Sequence, residues 1–192
     1  AIRPGGVSYD IGSWHGFFAG VMAAQGSSEV HVFEPLPRNA DRIRRLIALN
    51  PSKTIMLHPL AVGDADAEMD LVVMPETSMA KLEASQFQPN ATTQNRLRVK
   101  VRSIDSILAA REAAPPSLIK IDVEGAEFMV LMGASETLRL HRPVIFAEVH
   151  SMDLLAQCTR LLETKGYSIE FLDVDGAAAG TKDLFHIKAS PS

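Results

Sequence analysis

The largely apolar run at positions 118–123 constrains the fold more than any other stretch of the sequence. Its β-branched residues follow one another with little polar alternation, a pattern typical of a strand buried on both faces of a parallel sheet. Three carboxylates, Asp122, Glu124 and Glu127, crowd the C-terminal end of this run, and a helical pattern opens at Gly125. Open α/β sheets bind their ligands at such strand ends, so we expect a ligand site here.

A purely structural alternative is that Glu124 and Glu127 stabilise the start of the helix that follows them. This alternative leaves Asp122 unexplained, because Asp122 belongs to the strand. Neighbouring carboxylates also repel one another unless a cation lies nearby. Lys120 shares a strand face with Asp122, and we expect it to balance the carboxylates rather than to do chemistry.

Strands and helices alternate along the chain, which predicts a doubly wound α/β sheet. With 192 residues the chain is long enough for one sizeable core and short for two, so we predict a single domain over residues 1–192. The remaining strands of the main sheet are predicted at residues 7–12, 29–34, 54–62 with a bend at Pro59, 143–149, 167–174 and 183–188, the last of them antiparallel.

An insertion interrupts this alternation. Residues 68–74 and 97–102 alternate apolar and polar side chains, as half-exposed strands of a hairpin do. Residues 75–95 between them are rich in Ser, Thr, Gln, Asn and Met and are too long for a plain hairpin loop. We expect this segment to be a variable loop or a lid over a site.

Charge and cysteine content exclude several classes of function. The net charge of −4 offers no basic field for nucleic acid or for an anionic membrane. No apolar run reaches the length of a membrane-spanning helix, and no signal-peptide pattern opens the given sequence. Cys158 is the one cysteine, so an internal disulfide is excluded and a reducing, cytoplasmic location is favoured.

A glycine motif and an acidic residue together indicate a nucleoside ligand. Asp10, Gly12 and Gly16 stand between a strand and a helix, where glycine lets the backbone approach a ligand. Glu34 follows at the end of the next strand, where a carboxylate can accept hydrogen bonds from ribose hydroxyls. The glycine spacing is not Gly-x-Gly-x-x-Gly, which disfavours a nicotinamide-dependent oxidoreductase.

Several segments along the chain form a recognisable set, namely Asp10-Ile-Gly12-Ser-Trp-His-Gly16-Phe-Phe, Phe33-Glu34-Pro35, Ala61-Val-Gly-Asp64, Ser103-Ile-Asp105, Ile119-Lys-Ile-Asp-Val-Glu-Gly-Ala-Glu127 and Arg142-Pro143 with Glu148. Together they resemble the FkbM-type S-adenosylmethionine-dependent methyltransferases over about residues 7–188. The resemblance implies the class I methyltransferase fold, a mostly parallel seven-stranded sheet of order 3-2-1-4-5-7-6, and O-methylation of sugars or polyketide-like small molecules.

The resemblance also implies a set of residues that bind S-adenosylmethionine. One position departs from the family pattern, because Trp14 stands where a small polar residue, often Asn, is usual. The methionine end of the cofactor would then be held differently. The implied cofactor residues are Asp10, Gly12, Ser13, Gly16, Glu34, Pro35, Asp64 and Asp122.

The expected catalytic residues are Asp122, Glu148 and His150. Alternation along the strand at 143–149 puts Glu148 and His150 on one face, and His150 is our candidate for the base that an alcohol nucleophile needs. A hydrogen-bonded structural histidine is an open alternative. A divalent metal at Asp122, Glu148 and His150 is chemically allowed, but their spacing is no clear ligand pattern, and we predict none.

Two functions from different classes remain open. The first is an O-methyltransferase that acts on a hydroxylated small molecule, with no nucleic-acid or membrane partner. The second is a nucleoside-binding module on the same fold that has lost catalysis, an alternative that Trp14 keeps open because fold alone does not fix function.

Overall fold

A computed structural model describes residues 2–73, 80–82, 95–172 and 184–192 of the chain, without the side chains of residues 80–82 and 95. Within these ranges no helix is both long and apolar enough to cross a membrane. The strands are β1 (Val7–Ile11), β2 (Glu29–Phe33), β3 (Ile55–His58), β4 (Ala61–Val62), β5 (Ala67–Val73), β6 (Ala80–Leu82), β7 (Asn95–Arg102), β8 (Leu118–Ile121), β9 (Val144–Val149), β10 (Tyr167–Phe171) and β11 (Phe185–Pro191). The helices are α1 (Phe17–Ala24), α2 (Pro37–Leu49), α3 (Ile104–Ala109), α4 (Glu127–Met132), α5 (Ser135–Leu140) and α6 (Met152–Thr164).

The main sheet has seven strands in the order β3-β2-β1-β8-β9-β11-β10. The strands from β3 to β9 pair in parallel, whereas β11 pairs antiparallel with both β9 and β10. When the predicted strands are numbered along the chain, this is the order 3-2-1-4-5-7-6. The sequence-based topology, including its antiparallel last strand, is therefore confirmed.

The central strand β8 separates two apolar layers. All four of its residues are buried, as expected for a strand covered on both faces. Ile119 and Ile121 pack in the layer formed with α4, α5 and α6, whereas Leu118 packs in the layer formed with α1 and α2. Because side chains alternate along a strand, Lys120 lies on the same face as Leu118. A charged side chain therefore sits on the α1 side of the most buried strand.

The predicted third strand with a bend is wrong. Residues 54–62 form two separate strands, because β3 joins the edge of the main sheet and β4 joins a second sheet. The chain reverses its course at Pro59, where the amide of Leu60 donates to the carbonyl oxygen of His58 over 2.9 Å. Proline has no amide hydrogen to offer a sheet ladder, which favours a break at this position over a continuous strand.

The insertion is larger than the predicted hairpin. The two predicted strands do pair antiparallel as β5 and β7, but they belong to a four-stranded sheet of order β4-β7-β5-β6. The predicted lid at residues 75–95 lies outside the described residues, apart from the backbone of Ala80–Leu82 and Asn95. The second sheet packs its own apolar cluster, which includes Leu71, Val99 and Val101, against the main domain residue Ala126.

Helix α5 was not predicted from the sequence, and it begins two residues after Gly133, the residue that ends α4. The backbone of Gly133 has an ordinary φ of −71°, so it is not a left-handed helix stop. A side chain there would instead meet the carbonyl oxygen of Gly63 at 2.0 Å. The side chain of Asp105 then accepts the backbone amides of Glu136 and Thr137, both over 2.8 Å, and so caps α5 from another helix.

Two histidines on the neighbouring strands β2 and β3 form a pair in which His31 is buried and His58 is half-buried. His31 Nδ1 lies 2.9 Å from His58 Nε2, and the His58 ring stacks on Phe33. Burial, followed by the neighbouring His31, lowers the pKa of His58 to about 4. Burial also lowers the pKa of His31, against the opposing effect of Glu29. The fold therefore holds this pair in its neutral form.

Replacement of His58 by glutamine should reduce the sensitivity of the protein to acid. A histidine that is neutral when folded but protonates near its ordinary pKa of 6.5 when unfolded favours unfolding as the pH falls. Between pH 7 and pH 5 we expect the wild type to lose roughly 1–2 kcal/mol more of its unfolding free energy than His58→Gln. Urea denaturation at both pH values measures this difference. The exposed His141, as His141→Gln, is the control; an equal acid response in wild type and His58→Gln would contradict the prediction.

Candidate functional site

A cavity of about 280 Å³ opens where strands β1, β2, β8 and β9 end. Its floor is the central sheet, and part of its wall comes from the second sheet through Ala61, Val62 and Leu71. The cavity thus lies at the carboxyl ends of the parallel strands, the position predicted for a ligand site. The residues that follow the strands and line it include Gly12, Trp14, Glu34, Pro35, Asp122, Glu124 and Glu148.

The turn after β1 requires glycine at position 12. Gly12 has a φ of 72°, in the left-handed region that side chains disfavour. A Cβ atom at this position would stand 1.7 Å from the backbone oxygen of Asp122. The main chain after β1 therefore passes in direct contact with the main chain after β8, and Gly12 is also one of the residues that line the cavity.

The rest of this turn is fixed by buried polar groups. Ser13 Oγ donates to Asp10 Oδ2 over 2.6 Å, and Asp10 is fully buried. Gly16, with a φ of 84°, precedes the first residue of α1 and packs close to the side chain of Leu46. Trp14 also has a positive φ, of 53°, and half of its surface is exposed where the cavity opens. The chain thus places an exposed indole ring at the cavity in a strained backbone conformation.

Glu34 connects the turn after β1 with the start of α2. Its Oε2 accepts the amide of Trp14 over 2.8 Å, and its Oε1 accepts the amide of Leu36 over 3.0 Å and the side-chain amide of Asn39 over 3.3 Å. Burial raises the pKa of Glu34 to about 6, although all these hydrogen bonds favour the carboxylate. The residue is therefore a carboxylate at neutral pH, and it ties the turn after β1 to the start of α2.

Lys120 balances the carboxylates, as the sequence predicted. Its Nζ lies 3.4 Å from Asp10 Oδ1 and 3.3 Å from Asp122 Oδ2. The same ammonium group donates to the carbonyl oxygen of Gly12 over 2.7 Å, and it lies over the ring of Phe18. One cation therefore joins β1, β8 and the glycine turn.

Asp122, Glu148 and His150 come together at the acidic edge of the cavity. One side-chain ligand atom from each of them lies within 4.8 Å of the others. His150 Nε2 is 3.6 Å from Glu148 Oε1 and 3.4 Å from Glu124 Oε2. On its other side, His150 Nδ1 is 2.8 Å from the fully buried Glu127 Oε1. The imidazole is thus flanked by carboxylates on both nitrogens.

These carboxylates shift the ionisation of the cluster. Burial alone would lower the pKa of His150, but the hydrogen bond and charge of Glu127, with Glu124 and Asp122, outweigh it and raise that pKa. Burial raises the pKa of Glu124, and the charges of Asp122 and Glu148 add to this effect against the opposing influence of His150. Negative charge is therefore in excess at this edge, and a cation of any kind is favoured there.

The structure gathers most of the predicted site residues around the cavity. Those that line it are Gly12, Glu34, Pro35, Asp122 and Glu148. Those that are buried behind the lining are Asp10, Ser13, Gly16 and His150. Asp64 is exposed in the turn after β4 and does not line the cavity, so its predicted contact with a cofactor stays a prediction.

Several lining residues were not predicted as site residues. Glu124 was interpreted only as a helix-dipole partner, although its place among the three carboxylates was a usable signal. Asn39 and Leu36 reach the cavity because α2 starts beside Glu34. Leu71 reaches the cavity from the second sheet, and no local sequence pattern predicts that Leu71 lines it.

A doubly wound sheet of this order, with a glycine turn and an acidic strand end on one cavity, defines the class I methyltransferase fold. The chain belongs to the Methyltransferase FkbM domain family, which it matches over residues 7–169. A solved FkbM methyltransferase from Methylobacillus flagellatus KT superimposes with a TM-score of 0.67 at 18% sequence identity, covering 96% of this chain and 43% of that one.

Two curated relatives carry functional names. The chain is 28% identical over 164 residues to the hexuronic acid methyltransferase AglP of Haloferax volcanii, covering 85% of this chain and 64% of AglP. It is 26% identical over 208 residues to the 31-O-demethyl-FK506 methyltransferase FkbM of Streptomyces tacrolimicus, covering 94% of this chain and 79% of that protein. The chain thus spans less than two thirds of AglP and less than half of the solved bacterial structure.

Replacement of Gly12 by alanine should disrupt the cavity far more than the same change at another left-handed glycine. Gly5 has a φ of 76°, close to that of Gly12, but nothing lies within 4 Å of the position of its Cβ. Gly5→Ala should cost only about 1 kcal/mol of unfolding free energy, the usual penalty of a left-handed side chain. Gly12→Ala adds a clash with a backbone oxygen and should cost roughly 2–4 kcal/mol in all. Chemical denaturation of both variants measures the difference; equal losses would show that the turn can move away from β8.

Proposed function

We propose that the chain is the methyl-transferring domain of an S-adenosylmethionine-dependent O-methyltransferase that acts on a hydroxyl group of a small molecule or sugar. One observation carries this proposal: a single cavity joins the glycine turn and Glu34 at one end to Asp122 and Glu148 at the other. A nucleoside and a reacting group therefore have adjoining places. Membership of the FkbM family and the names of the two curated relatives support the same activity.

The residues at the first end suit S-adenosylmethionine, which supplies a methyl group on a sulfonium ion. Glu34, buried yet open to the cavity, can accept the ribose hydroxyls. Gly12 lines the cavity, and the lack of a Cβ lets the turn after β1 lie directly against the main chain of Asp122. Pro35, Leu36 and Asn39 supply the remaining wall at this end. The predicted cofactor residues Asp10, Ser13 and Gly16 would act by shaping the turn rather than by lining the cavity.

The second end suits both the positive charge of the cofactor and the chemistry of an alcohol. Carboxylates at Asp122 and Glu148 attract a sulfonium and its ammonium group. Methyl transfer is an in-line displacement, so much of the barrier, roughly 7–11 kcal/mol in favourable cases, can be removed by positioning. The hydroxyl must also lose a proton, and Glu148 with His150 behind it is the place we assign to that step.

The acceptor class follows from the family and from the cavity. AglP is named for a hexuronic acid and the FkbM relative for 31-O-demethyl-FK506, and we propose a hydroxylated small molecule or sugar as the acceptor of this chain. The predicted single domain, the cytoplasmic location and the lack of nucleic-acid or membrane partners are part of the same proposal. They rest on the net charge of −4 and on Cys158, which is buried and whose pKa burial raises to about 12.

The inactive nucleoside-binding module is a second candidate because of Trp14. This side chain lines the cavity, stacks on His15 and stands where the family usually has a small polar residue. Calorimetric titration with S-adenosylmethionine and formation of S-adenosylhomocysteine over a panel of hydroxylated sugars and polyketides separate the two candidates. Binding without turnover of any acceptor supports the module, turnover supports the enzyme, and absence of binding overturns both.

Replacement of Glu34 by glutamine should weaken the binding of S-adenosylmethionine by roughly 1–3 kcal/mol, the scale of a lost charged hydrogen bond. Glutamine is similar in shape to glutamate but accepts through one oxygen only, so either the amide of Trp14 or that of Leu36 loses its acceptor in the variant. Wild-type affinity should also fall as the pH drops below about 6, where Glu34 gains its proton, and this fall should be absent in Glu34→Gln. Calorimetry at pH 7.5 and 5.5 tests both effects. Glu163→Gln, on the exposed side of α6, is the control.

The same titration of Asp64→Asn tests the role that the sequence assigned to Asp64. An affinity equal to that of the wild type would remove Asp64 from the cofactor site. Unchanged affinity in Glu34→Gln at both pH values would contradict the assignment of the ribose to Glu34.

Replacement of His150 by alanine should lower turnover by about 10²–10⁴-fold, the usual range for loss of a general base. Affinity for S-adenosylmethionine should change little, because His150 lies behind Glu148 and away from the Glu34 end. Steady-state turnover and calorimetry on the same preparation measure the two effects. The exposed His141→Gln serves as control; near-normal turnover of His150→Ala would make this histidine purely structural.

A further inference from the structure

The acidic edge of the cavity has three features that are found together at divalent-cation sites in proteins. It has oxygen and nitrogen donors from three residues, an imidazole oriented by a buried carboxylate, and an excess of negative charge. The inference drawn from them rests on the proposed methyltransferase function.

The donor atoms have separations that one ion can bridge. His150 Nε2 lies 3.6 Å from Glu148 Oε1, and the ligand atoms of Asp122, Glu148 and His150 all lie within 4.8 Å of one another. Ligands bound about 2.1 Å from an ion are about 3.0–3.5 Å apart when adjacent and about 4.2 Å apart when opposite. The side chains of Asp122 and Glu148 are 28% and 31% exposed, so both have room for the small rotation that would bring them onto an ion.

The imidazole is oriented as metal-binding histidines are. His150 Nδ1 is paired over 2.8 Å with Oε1 of Glu127, which is fully buried, lies outside the donor set and also accepts the amide of Gly125 over 2.9 Å. With the Nδ1 proton held by Glu127, His150 presents Nε2 toward Glu148. A buried carboxylate on the far nitrogen of a histidine is the usual companion of a metal ligand, because it fixes the tautomer and strengthens the donor.

Among the described residues, carboxylates outnumber basic groups at this edge. Lys120 is shared between Asp10 and Asp122 and is bonded to the Gly12 carbonyl. Glu124, Glu127 and Glu148 surround the imidazole of His150, and a second imidazole, that of His186, lies 3.2 Å from Glu148 Oε2. Such an assembly of carboxylates is destabilising unless positive charge enters it, and a divalent ion supplies more of that charge than a proton on His150 does.

We propose that Asp122, Glu148 and His150 bind a hard divalent cation of the Mg²⁺ or Mn²⁺ class at the acceptor end of the cavity. Two carboxylates suit both ions, and the imidazole donor favours Mn²⁺. In this refinement of the proposed function His150 serves as a ligand through Nε2, and the role of base passes from His150 to a carboxylate of the cavity wall. The acceptor this site fits is a molecule with the reacting hydroxyl beside a second oxygen, so that both oxygens reach the same ion.

The cation would assist the reaction without being consumed in it, and the same bonds would form and break. A hydroxyl oxygen on a divalent ion releases its proton more readily, and that proton passes to a carboxylate of the cavity wall. The oxygen electron pair forms the new bond to the methyl carbon. The electron pair of the broken carbon–sulfur bond stays on sulfur, which leaves the neutral thioether S-adenosylhomocysteine.

The test is a titration with Mn²⁺ alone of protein from which a chelator has removed all metals. Binding is measured as the loss of the electron paramagnetic resonance signal of free Mn²⁺. We expect one Mn²⁺ per chain in the wild type. Asp122→Asn and His150→Gln should each weaken binding at least tenfold, and His58→Gln, in a histidine pair outside the cavity, should not. Circular dichroism establishes that each variant is folded, and the half-exposed Asp122→Asn keeps the test decisive if His150→Gln does not fold.

The outcomes separate the cation from the methyltransferase proposal. Absence of Mn²⁺ binding, binding that persists in both cavity variants, or turnover that is undiminished by chelator would overturn the cation site while the methyltransferase stands. Turnover that is lost with chelator and restored by Mn²⁺ or Mg²⁺ supports it. Failure to bind S-adenosylmethionine would overturn the proposed function, whereas the Mn²⁺ titration would still decide the cation site.

Discussion

The buried ammonium group of Lys120 is the interaction on which the ligand end of the sheet depends. Asp10 is fully buried, and an isolated buried carboxylate would cost several kcal/mol. Lys120 compensates this charge, contacts Asp122 on its own strand and bonds to the carbonyl oxygen of Gly12. The glycine turn, the central strand and its neighbour β1 are therefore held in register by one charge. Phe18 covers that charge from α1, which separates it from solvent on the helix side.

The main sheet was predictable because its signals are local. Parallel strands that are buried on both faces show themselves as unbroken apolar runs, and each was followed by a helix with a recognisable start or stop. The split between β3 and β4 was not predictable in this way, because the segments on either side of Pro59 are too short for their patterns to reveal a change of sheet. Helix α5 was missed for a related reason, since its cap is Asp105, which lies 31 positions before Glu136.

The candidate site was likewise predictable only in part. Gly12, Glu34 and Asp122 follow strands of known order, so the topology alone brings them together. The hydrogen bonds from the Trp14 and Leu36 amides to Glu34 depend on the path of two loops, which a residue pattern does not give. The pairing of His150 with Glu127 likewise joins a strand end to a helix start. It holds the connecting turn, in which Glu124 has a φ of 55° and Gly125 a φ of 97°, in a conformation that a free loop would seldom adopt.

The contact between Gly133 and Gly63 has a consequence for the width of the cavity. Gly63 directly follows β4, whose two residues line the cavity, and its carbonyl oxygen occupies the space that any side chain at position 133 would need. The distance between the second sheet and the helical layer is thus set by the absence of a single methyl group. A larger residue at position 133 would push β4 outward as a rigid unit with β7, to which it is paired. A substitution at position 133, which does not line the cavity, can therefore change the width of the cavity and with it the range of ligands that fit.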